Sequence, residues 1–230
     1  MEPDDRSRST VPPAAPANAG GTTRSVLRQA LLQQRDAIDA RQKMEFDRRI
    51  RQQVLGWLQR WLDQAAGRDG AGVPEDRAGN AAQPAFVLGV YWPIGSEPDL
   101  QPLYPLLAAH GIQLALPVVG ARDAALRFAR WTPGEPLQIC HFGIAVPAST
   151  IWLQPQALLL PCVGFNAAGY RLGYGGGFYD RTLANTPRPH SAGIGYRIGH
   201  SQFAAQPHDI ALDCIITEQG CFDRRPEPGR

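Results

Sequence analysis

The sequence predicts an α/β fold of three layers, α/β/α, in which helices cover both faces of a mostly parallel central sheet. The order of patterns supports this, because short apolar runs alternate with helical segments from Ala85 onward. Those runs are apolar at most positions, as is typical of buried strands. The chain has 230 residues, 43% of them hydrophobic, which is enough for one large core. We therefore expect a single domain over 22–222.

Two helices are predicted before the sheet. Residues 1–21 are rich in Pro, Ala and Gly, and are predicted to be a disordered tail because burial cannot offset their ordering entropy. The first helix begins near Thr22 or Thr23, either of which could cap it. Its inner face carries Leu27, Leu31, Gln34 and Ile38. The second helix has an apolar stripe made of Phe46, Ile50, Val54, Trp57, Leu58, Trp61 and Leu62. We interpret Trp57 and Trp61, one turn apart, as core residues rather than a stacking surface for a ligand.

The sheet elements follow a predicted surface loop over 66–84, which mixes Gly, Pro and charged residues. Strands are predicted at 86–91, 112–119 and 157–165 from apolar runs, at 126–131 from alternation, and at 193–196 and 214–217. Helices are predicted at 97–110, from regularly spaced leucines, and at 178–184 after a run of glycines. Residues 223–230 are predicted to fray. Right-handed crossovers in such a Rossmann-like sheet place a ligand beyond the carboxyl ends of the strands.

The composition excludes several kinds of chemistry. Lys43 is the only lysine, so a Schiff-base enzyme has one candidate, and a phosphate loop ending in Gly-Lys-Ser/Thr cannot occur. A net charge near +2 provides no general field for nucleic acid. The four cysteines contain no CxxC pair, which indicates neither a zinc knuckle nor a dithiol and favours a reducing compartment. No signal peptide or membrane span is recognised, so we expect a cytoplasmic protein without membrane partners.

The glycine-rich segment 164–181 carries the strongest functional signal, since a buried strand precedes it and a helix follows. The backbone can approach a ligand closely at Gly173, Gly175, Gly176 and Gly177. Arg171 and Arg181 flank these glycines with donors suited to phosphate oxygens, and the following helix start favours anions. Asp180 is a hard oxygen ligand for Mg²⁺ on such a phosphate. The segment predicts a nucleotide phosphate site, with a tight structural turn as the alternative.

Weaker candidates lie elsewhere in the chain. Glu97 could accept N–H bonds from a polar ring, or could be the N-terminal residue of a helix, where a carboxylate is favourable. His208 could be a base or a surface-loop residue, and Asp209 a second metal ligand or an Asx-turn residue. Arg24 and Arg28, one turn apart, could bind phosphate or could be solvated.

Taken together, these segments resemble the 5-formyltetrahydrofolate cyclo-ligases, also called 5,10-methenyltetrahydrofolate synthetases, over about residues 24–218. The family's central motif, PxxxFxxxGxRLGxGxGYYDR, stands here as Pro161-Cys-Val-Gly-Phe165 followed by Gly169-Tyr-Arg-Leu-Gly-Tyr-Gly-Gly-Gly-Phe-Tyr-Asp-Arg181. Supporting motifs appear in family order. They are Arg24 to Arg28, Tyr91-Trp-Pro with Glu97, Leu116-Pro-Val-Val119, Gln202 before Pro207-His-Asp209, and Leu212 to Glu218.

The resemblance implies an architecture shared with sugar-phosphate isomerases and CoA-transferases, and an ATP-dependent, Mg²⁺-dependent ring closure. The formyl oxygen of 5-formyltetrahydrofolate would attack the γ-phosphate, N10 would trap the activated carbon, and ADP and phosphate would leave. The implied ATP site comprises Arg24, Arg28, Arg171, Leu172, Gly173, Tyr174, Gly175, Gly176, Gly177, Phe178 and Tyr179. The implied folate site comprises Trp92, Glu97, Tyr174, Gly175, Gly176, Gly177 and Phe178. Arg171 and Asp180 would be catalytic, and Asp180 and Asp209 would hold Mg²⁺. We expect a monomer without nucleic-acid partners.

Four positions depart from the family pattern. Arg24 replaces a lysine, Val146 a glutamate, and Gln156 and Asn166 replace aspartates. These departures motivate an alternative, a non-catalytic homologue that binds nucleotide or folate on the same scaffold. A weaker alternative is a relative of the isomerases or transferases that needs no ATP.

Overall fold

The computed structural model describes residues 19–68, 86–140 and 144–224. Most of the predicted tail over 1–21, loop over 66–84 and frayed end over 223–230 therefore lies outside the described residues. Helix α1 begins at Ala19, inside the predicted tail, and helix α2 ends at Arg68, inside the predicted loop. The last strand ends at Asp223, the first residue of the predicted frayed end. The two helix extensions contain Gly20, Gly21 and Gly67, and glycine is a poor helix former, so helix propensity alone did not predict them.

The described residues form helices α1 Ala19–Asp36, α2 Ala40–Arg68, α3 Tyr104–Ala109 and α4 Phe178–Leu183, with 3₁₀ turns at Gln101–Leu103 and Arg197–Gly199. The strands are β1 Val87–Gly89, β2 Gln113–Val118, β3 Arg127–Trp131, β4 Leu137–Ile139, β5 Ala145–Pro147, β6 Trp152–Leu153, β7 Ala157–Pro161, β8 Gly164–Phe165, β9 Arg171–Leu172, β10 His190–Ile194, β11 Cys214–Thr217 and β12 Gly220–Asp223.

The central sheet has the order β12-β11-β10-β7-β1-β2-β3-β6. Its five inner strands, from β11 to β2, run parallel, whereas β12, β3 and β6 pair antiparallel at the edges. The predicted α/β class with a mostly parallel sheet is confirmed. The parallel strands all end at one edge, so the loops that follow them converge there.

The two faces of the sheet have separate cores. Leu88, Leu114 and Leu159 pack under α2 and α3, whereas their chain neighbours Val87 and Leu158 pack on the opposite face with Leu183 of α4. Alternate residues of a strand point to opposite faces, which explains why these strands are apolar at nearly every position.

Helix α2 packs against the sheet through its tryptophans. The indole of Trp57 is buried and stacks on the imidazole of His190, with ring centroids 5.4 Å apart. Trp61 packs on Phe86 with centroids 4.6 Å apart. The interpretation of both tryptophans as core residues is confirmed.

Three predicted elements differ in extent. The helix predicted at 97–110 is limited to a 3₁₀ turn and α3, because proline disfavours helical geometry in the residue before it and Pro98 follows Glu97. The strand predicted at 157–165 ends at Pro161, and the chain then forms the β8–β9 hairpin. The strand predicted at 193–196 begins earlier, at His190, where it pairs with β7.

Candidate active site

A cavity of about 490 Å³, which we term the central cavity, opens at the carboxyl ends of the parallel strands. Tyr91 and Trp92 reach it after β1, Pro117 and Val119 at the end of β2, and Pro161 at the end of β7. Arg24 and Arg28 of α1, residues 173–177 and the loop at 206–209 complete the wall. The position is the one that strand order predicts for a ligand.

The glycine loop, residues 173–177, joins β9 to α4 along one wall of the central cavity. Gly175 and Gly177 have φ angles of 99° and 66°, a region that disfavours residues with a Cβ atom. Arg28 braces this loop, since its Nε donates to the carbonyl oxygen of Gly173 at 2.6 Å. The loop therefore presents bare backbone to the cavity while an arginine from α1 supports it.

Arg181, predicted to lie beside a bound phosphate, instead donates to backbone carbonyls. Its Nε donates to the carbonyl of Ala124, and its Nη2 donates to the carbonyls of Arg122 and Gly176. Its donors thus tie the glycine loop to the segment before β3. The predicted phosphate contact of Arg181 is not supported, because Arg181 does not line the central cavity and carbonyl oxygens hold its Nε and Nη2.

Arg171 and Asp180 form a two-pronged ion pair across the glycine loop. Both guanidinium–carboxylate distances are 2.9 Å, and the side chains are only 5% and 15% exposed. Asp180 Oδ1 also accepts a bond from the backbone N–H of Ile210 at 3.2 Å. Because β9 carries Arg171 and α4 carries Asp180, the pair holds the two ends of the loop together. Arg171 Nε is buried without a hydrogen-bond partner among the described residues.

A second ion pair joins the helix α1 to the loop at 206–209. Arg24 Nη1 lies 2.6 Å from Asp209 Oδ2, which also accepts the backbone N–H of Gln206 at 2.8 Å. Asp209 Oδ1 lies 3.8 Å from Nε2 of His208. The His208 side chain is 69% exposed, as expected for a surface-loop residue, although it lines the cavity rim. Asp209 thus organises its own loop and pairs with a cation, and neither contact is an Asx turn.

Glu97 also lines the cavity and is 2% exposed. Its Oε2 accepts the backbone N–H of Ile94 at 2.9 Å, and its Oε1 accepts the hydroxyl of Tyr174 at 2.8 Å. Burial raises the pKa of Glu97, while the bonds from Ile94 and Tyr174 and the charge of Arg35 act in the opposite direction. The alternative of a helix-start residue is wrong, because the first helical turn begins only at Gln101.

Arg35 is a site residue that the sequence reasoning missed. Its guanidinium is buried, with Nε donating to Ser96 Oγ and Nη2 to the hydroxyl of Tyr174, both at 2.9 Å. Nη1 is buried and has no partner among the described residues. A signal was available, since Arg35 follows Leu31 by four residues and so lies on the inner face of α1. An arginine in phase with an apolar face requires a buried partner.

The central cavity brings together all but one of the residues in the predicted ATP, folate and metal sites. They are Arg24, Arg28, Trp92, Glu97, Arg171, Gly173, Tyr174, Gly175, Gly176, Gly177, Phe178, Tyr179, Asp180 and Asp209. Leu172 is the exception and corrects the prediction. Its side chain is fully buried against Leu31 and Val163, because alternation along β9 directs it away from the cavity that Arg171 faces.

Comparison with known proteins identifies relatives of one kind. The family described as the 5-formyltetrahydrofolate cyclo-ligase family matches residues 73–218. A 5-formyltetrahydrofolate cyclo-ligase of Mycolicibacterium smegmatis is 33% identical over 140 residues, covering 55% of this chain and 71% of the relative. A protein of the same name from Mycoplasma pneumoniae is 26% identical over 200 residues, covering 85% and 99%.

Structural comparison agrees with the sequence comparison. The solution structure of the 5,10-methenyltetrahydrofolate synthetase of Aquifex aeolicus superposes with a TM-score of 0.63 at 25% identity, covering 90% of this chain and 95% of that one. Among the described residues, no helix is both long and apolar enough to cross a membrane.

Proposed function

Because the chain belongs to the 5-formyltetrahydrofolate cyclo-ligase family, we propose that it closes 5-formyltetrahydrofolate to 5,10-methenyltetrahydrofolate while converting ATP to ADP and phosphate. One observation carries the proposal. A single cavity is lined by arginines, by bare glycine backbone and by a buried, hydrogen-bonded carboxylate. A triphosphate and a polar ring system could therefore meet inside it.

The phosphate end of the cavity supplies positive charge and backbone donors. Arg24, Arg28 and Arg171 line it beside the glycine loop, where the absence of side chains permits close approach of phosphate oxygens. Phosphoryl transfer needs mainly positioning and charge neutralisation, and no protein nucleophile. We propose that these arginines align the γ-phosphate with the formyl oxygen, with Tyr174, Phe178 and Tyr179 enclosing the reacting groups.

The carboxylates of Asp180 and Asp209 fit a magnesium ion chemically. Mg²⁺ is commonly held by one or two carboxylates together with substrate phosphates and water. An ionised carboxylate has about four acceptor sites. Arg171 and Ile210 occupy part of this capacity on Asp180. Within the part of the chain that the structure describes, Oδ1 of Asp209 has only the distant contact with His208. When bound, the metal would neutralise charge on the transferred phosphate.

The folate end of the cavity is a polar network inside an apolar wall. Arg35 donates to the Tyr174 hydroxyl, and that hydroxyl donates to Glu97. The network fixes the Glu97 carboxylate in a buried position, where it could accept N–H bonds from the pterin ring. Trp92 lies beside it with its ring edge-on to Trp131, and provides a flat apolar contact.

Three of the four departures from the family pattern lie outside the central cavity, and the fourth, Arg24, keeps its positive charge there, which favours catalysis over the non-catalytic alternative. Gln156 Oε1 accepts the backbone N–H of Val87 at 2.7 Å and so stabilises the start of β1. Asn166 Oδ1 accepts the N–H groups of Ala168 and Tyr170 within the β8–β9 turn. Val146 is a residue of β5, and none of these three lines the central cavity.

A turnover assay tests this function directly. Purified chain is mixed with 5-formyltetrahydrofolate and MgATP, and the near-UV absorbance of the methenyl product is followed together with ADP release. Equal rates of both signals are expected. Folded protein that gains thermal stability from either ligand, yet forms neither product, would instead establish the non-catalytic alternative. We expect a cytoplasmic protein that is active as a monomer, and size-exclusion chromatography of the purified chain would check its oligomeric state.

A further inference from the structure

Three metal-ligating side chains meet on the last two strands of the sheet. Cys214 begins β11, and Cys221 and Asp223 belong to the edge strand β12. Their two thiol sulfurs and a carboxylate oxygen all lie within 4.8 Å of one another. This group, which we term the β11–β12 cluster, is the only one of its kind among the described residues.

Strand pairing explains why these residues meet. Cys214 lies directly opposite Asp223 in the antiparallel ladder, and Cys221 precedes Asp223 by two residues on the same strand. Side chains two apart on a strand share a face, so all three project from the same side of the sheet. Cys214 belongs to the core beneath α2, Cys221 is half-buried beside it, and Asp223 is exposed. The cluster therefore extends from the core to solvent.

The β11–β12 cluster is separate from the central cavity. Cys214 is the first residue of a parallel strand, whereas the cavity lies beyond the last residues of those strands. None of the three residues lines the cavity. The proposed ring closure therefore leaves the cluster without a role.

The geometry distinguishes a metal ligand set from a disulfide. Cys214 and Cys221 are diagonal neighbours, because Cys221 pairs with Ile216 rather than with Cys214. Diagonal positions place Cα atoms roughly 7–8 Å apart. That separation exceeds the range of about 4.4–6.8 Å in which a disulfide forms without backbone movement. Two thiolates on one tetrahedral zinc, at about 2.3 Å from the metal, are roughly 3.8 Å apart, which the observed spacing accommodates.

We propose that Cys214, Cys221 and Asp223 bind a thiophilic divalent cation of the Zn²⁺ type, with the fourth position open to solvent. Thiolate sulfur selects such ions over Mg²⁺, which prefers oxygen, so this site and the magnesium site would not compete. As each metal–sulfur bond forms, the thiol proton is released to solvent.

Arg60 of α2 balances the charge of the bound state. Two thiolates and one carboxylate carry three negative charges against two positive charges on the ion. Arg60 lies near Cys221 and can neutralise the remainder. Because β11 and the edge strand β12 would share one metal centre, binding would hold the edge strand to the sheet, and the charge of Arg60 would draw α2 towards it.

Cobalt substitution tests the proposal without reference to turnover. The full chain, purified under reduction and stripped of metal, is titrated with Co²⁺. We expect one equivalent to produce thiolate-to-cobalt charge-transfer absorption and the intense visible bands of tetrahedral cobalt, and Zn²⁺ to abolish both. Zn²⁺ is also expected to raise the melting temperature. No cobalt spectrum with the unaltered chain would overturn the proposal, as would a Cys214–Cys221 disulfide that forms readily and excludes the metal.

Variants assign the ligands. Cys221→Ser and Asp223→Asn lie on the exposed edge strand and are chosen because Cys214→Ser alters the core. Each is expected to weaken Co²⁺ binding about tenfold or more, since even the loss of an outer-shell partner costs that much. Cys140→Ser, a free cysteine outside the cluster, should bind cobalt as the unaltered chain does. Binding that survives Cys221→Ser but is lost in Cys140→Ser would refute the assignment. All these proteins should retain cyclo-ligase turnover, so failure of either proposal would be recognised separately.

Discussion

Replacing Asp180 by asparagine leaves the guanidinium of Arg171, only 5% exposed, without its counter-charge. Removing one partner of a buried ion pair costs about 3–5 kcal/mol of unfolding free energy. We expect about 3 kcal/mol for Asp180→Asn, because this position is 15% exposed and asparagine retains one carbonyl acceptor. Domains are typically stable by about 5–15 kcal/mol, so the variant should remain folded at room temperature.

The double variant separates the structural role of the pair from its catalytic role. Arg171→Met alone leaves the Asp180 carboxylate without its counter-charge and should lower the free energy of unfolding by a similar amount. The double variant Arg171→Met, Asp180→Asn should lose less than the sum of the single variants by about 2 kcal/mol, within the range found for contacting residues. Turnover should fall at least about 100-fold in all three proteins. Stability would be measured by urea unfolding followed by tryptophan fluorescence, and turnover by methenyl absorbance at saturating MgATP.

Two results would refute this reasoning. If the single effects on stability add within about 0.5 kcal/mol, the two side chains are not coupled in solution. If Asp180→Asn retains turnover, Asp180 neither holds the metal nor positions the phosphate site. Glu45→Gln, which breaks an exposed ion pair with Arg48 on α2, is the matched control and should change neither stability nor turnover measurably.

Three further predictions concern the two ends of the cavity. Tyr174→Phe removes the hydroxyl that donates to Glu97. Because a hydrogen bond to a charged group contributes about 1.5–3 kcal/mol, KM for 5-formyltetrahydrofolate should rise about tenfold. KM for ATP should stay within about threefold. Burial raises the pKa of Glu97, so this group contributes stability while protonated, below about pH 4.5, and loses that contribution as pH rises through its elevated pKa. Glu97→Gln should therefore raise the free energy of unfolding of the ligand-free chain near pH 7.5 and lose that advantage near pH 4. It should also weaken folate binding. A variant that is less stable than the unaltered chain in urea at pH 7.5 would contradict the expected direction of the stability change. Arg24→Lys should alter KM for ATP less than about threefold, because a lysine ammonium can replace the single contact with Asp209. A large gain in ATP affinity would instead show that arginine at this position weakens ATP binding.

The sequence was informative wherever local patterns determine structure. Apolar runs located the inner strands because burial on both sheet faces requires nearly continuous apolar residues. The glycine loop was recognisable because four glycines lie between a strand and a helix, where the backbone turns sharply or approaches a ligand closely. Short pairings such as β4–β5 and β8–β9 were not recognised, since two or three residues carry no detectable periodicity.

What the sequence by itself determined was the class of fold, the family and the set of residues that surround one cavity. The tertiary structure alone decided how their charges combine. Arg24 meets Asp209 across 185 residues of chain, and Arg35 meets Tyr174 across 139. The two cysteines of the β11–β12 cluster likewise have no metal-binding spacing along the chain, and only an antiparallel register brings them together. The physical reason is the distance along the chain over which each kind of interaction acts. Periodicity and turn chemistry act between neighbours in sequence, whereas an ion pair or a ligand set depends on a distance of a few ångströms that exists only after the sheet has formed.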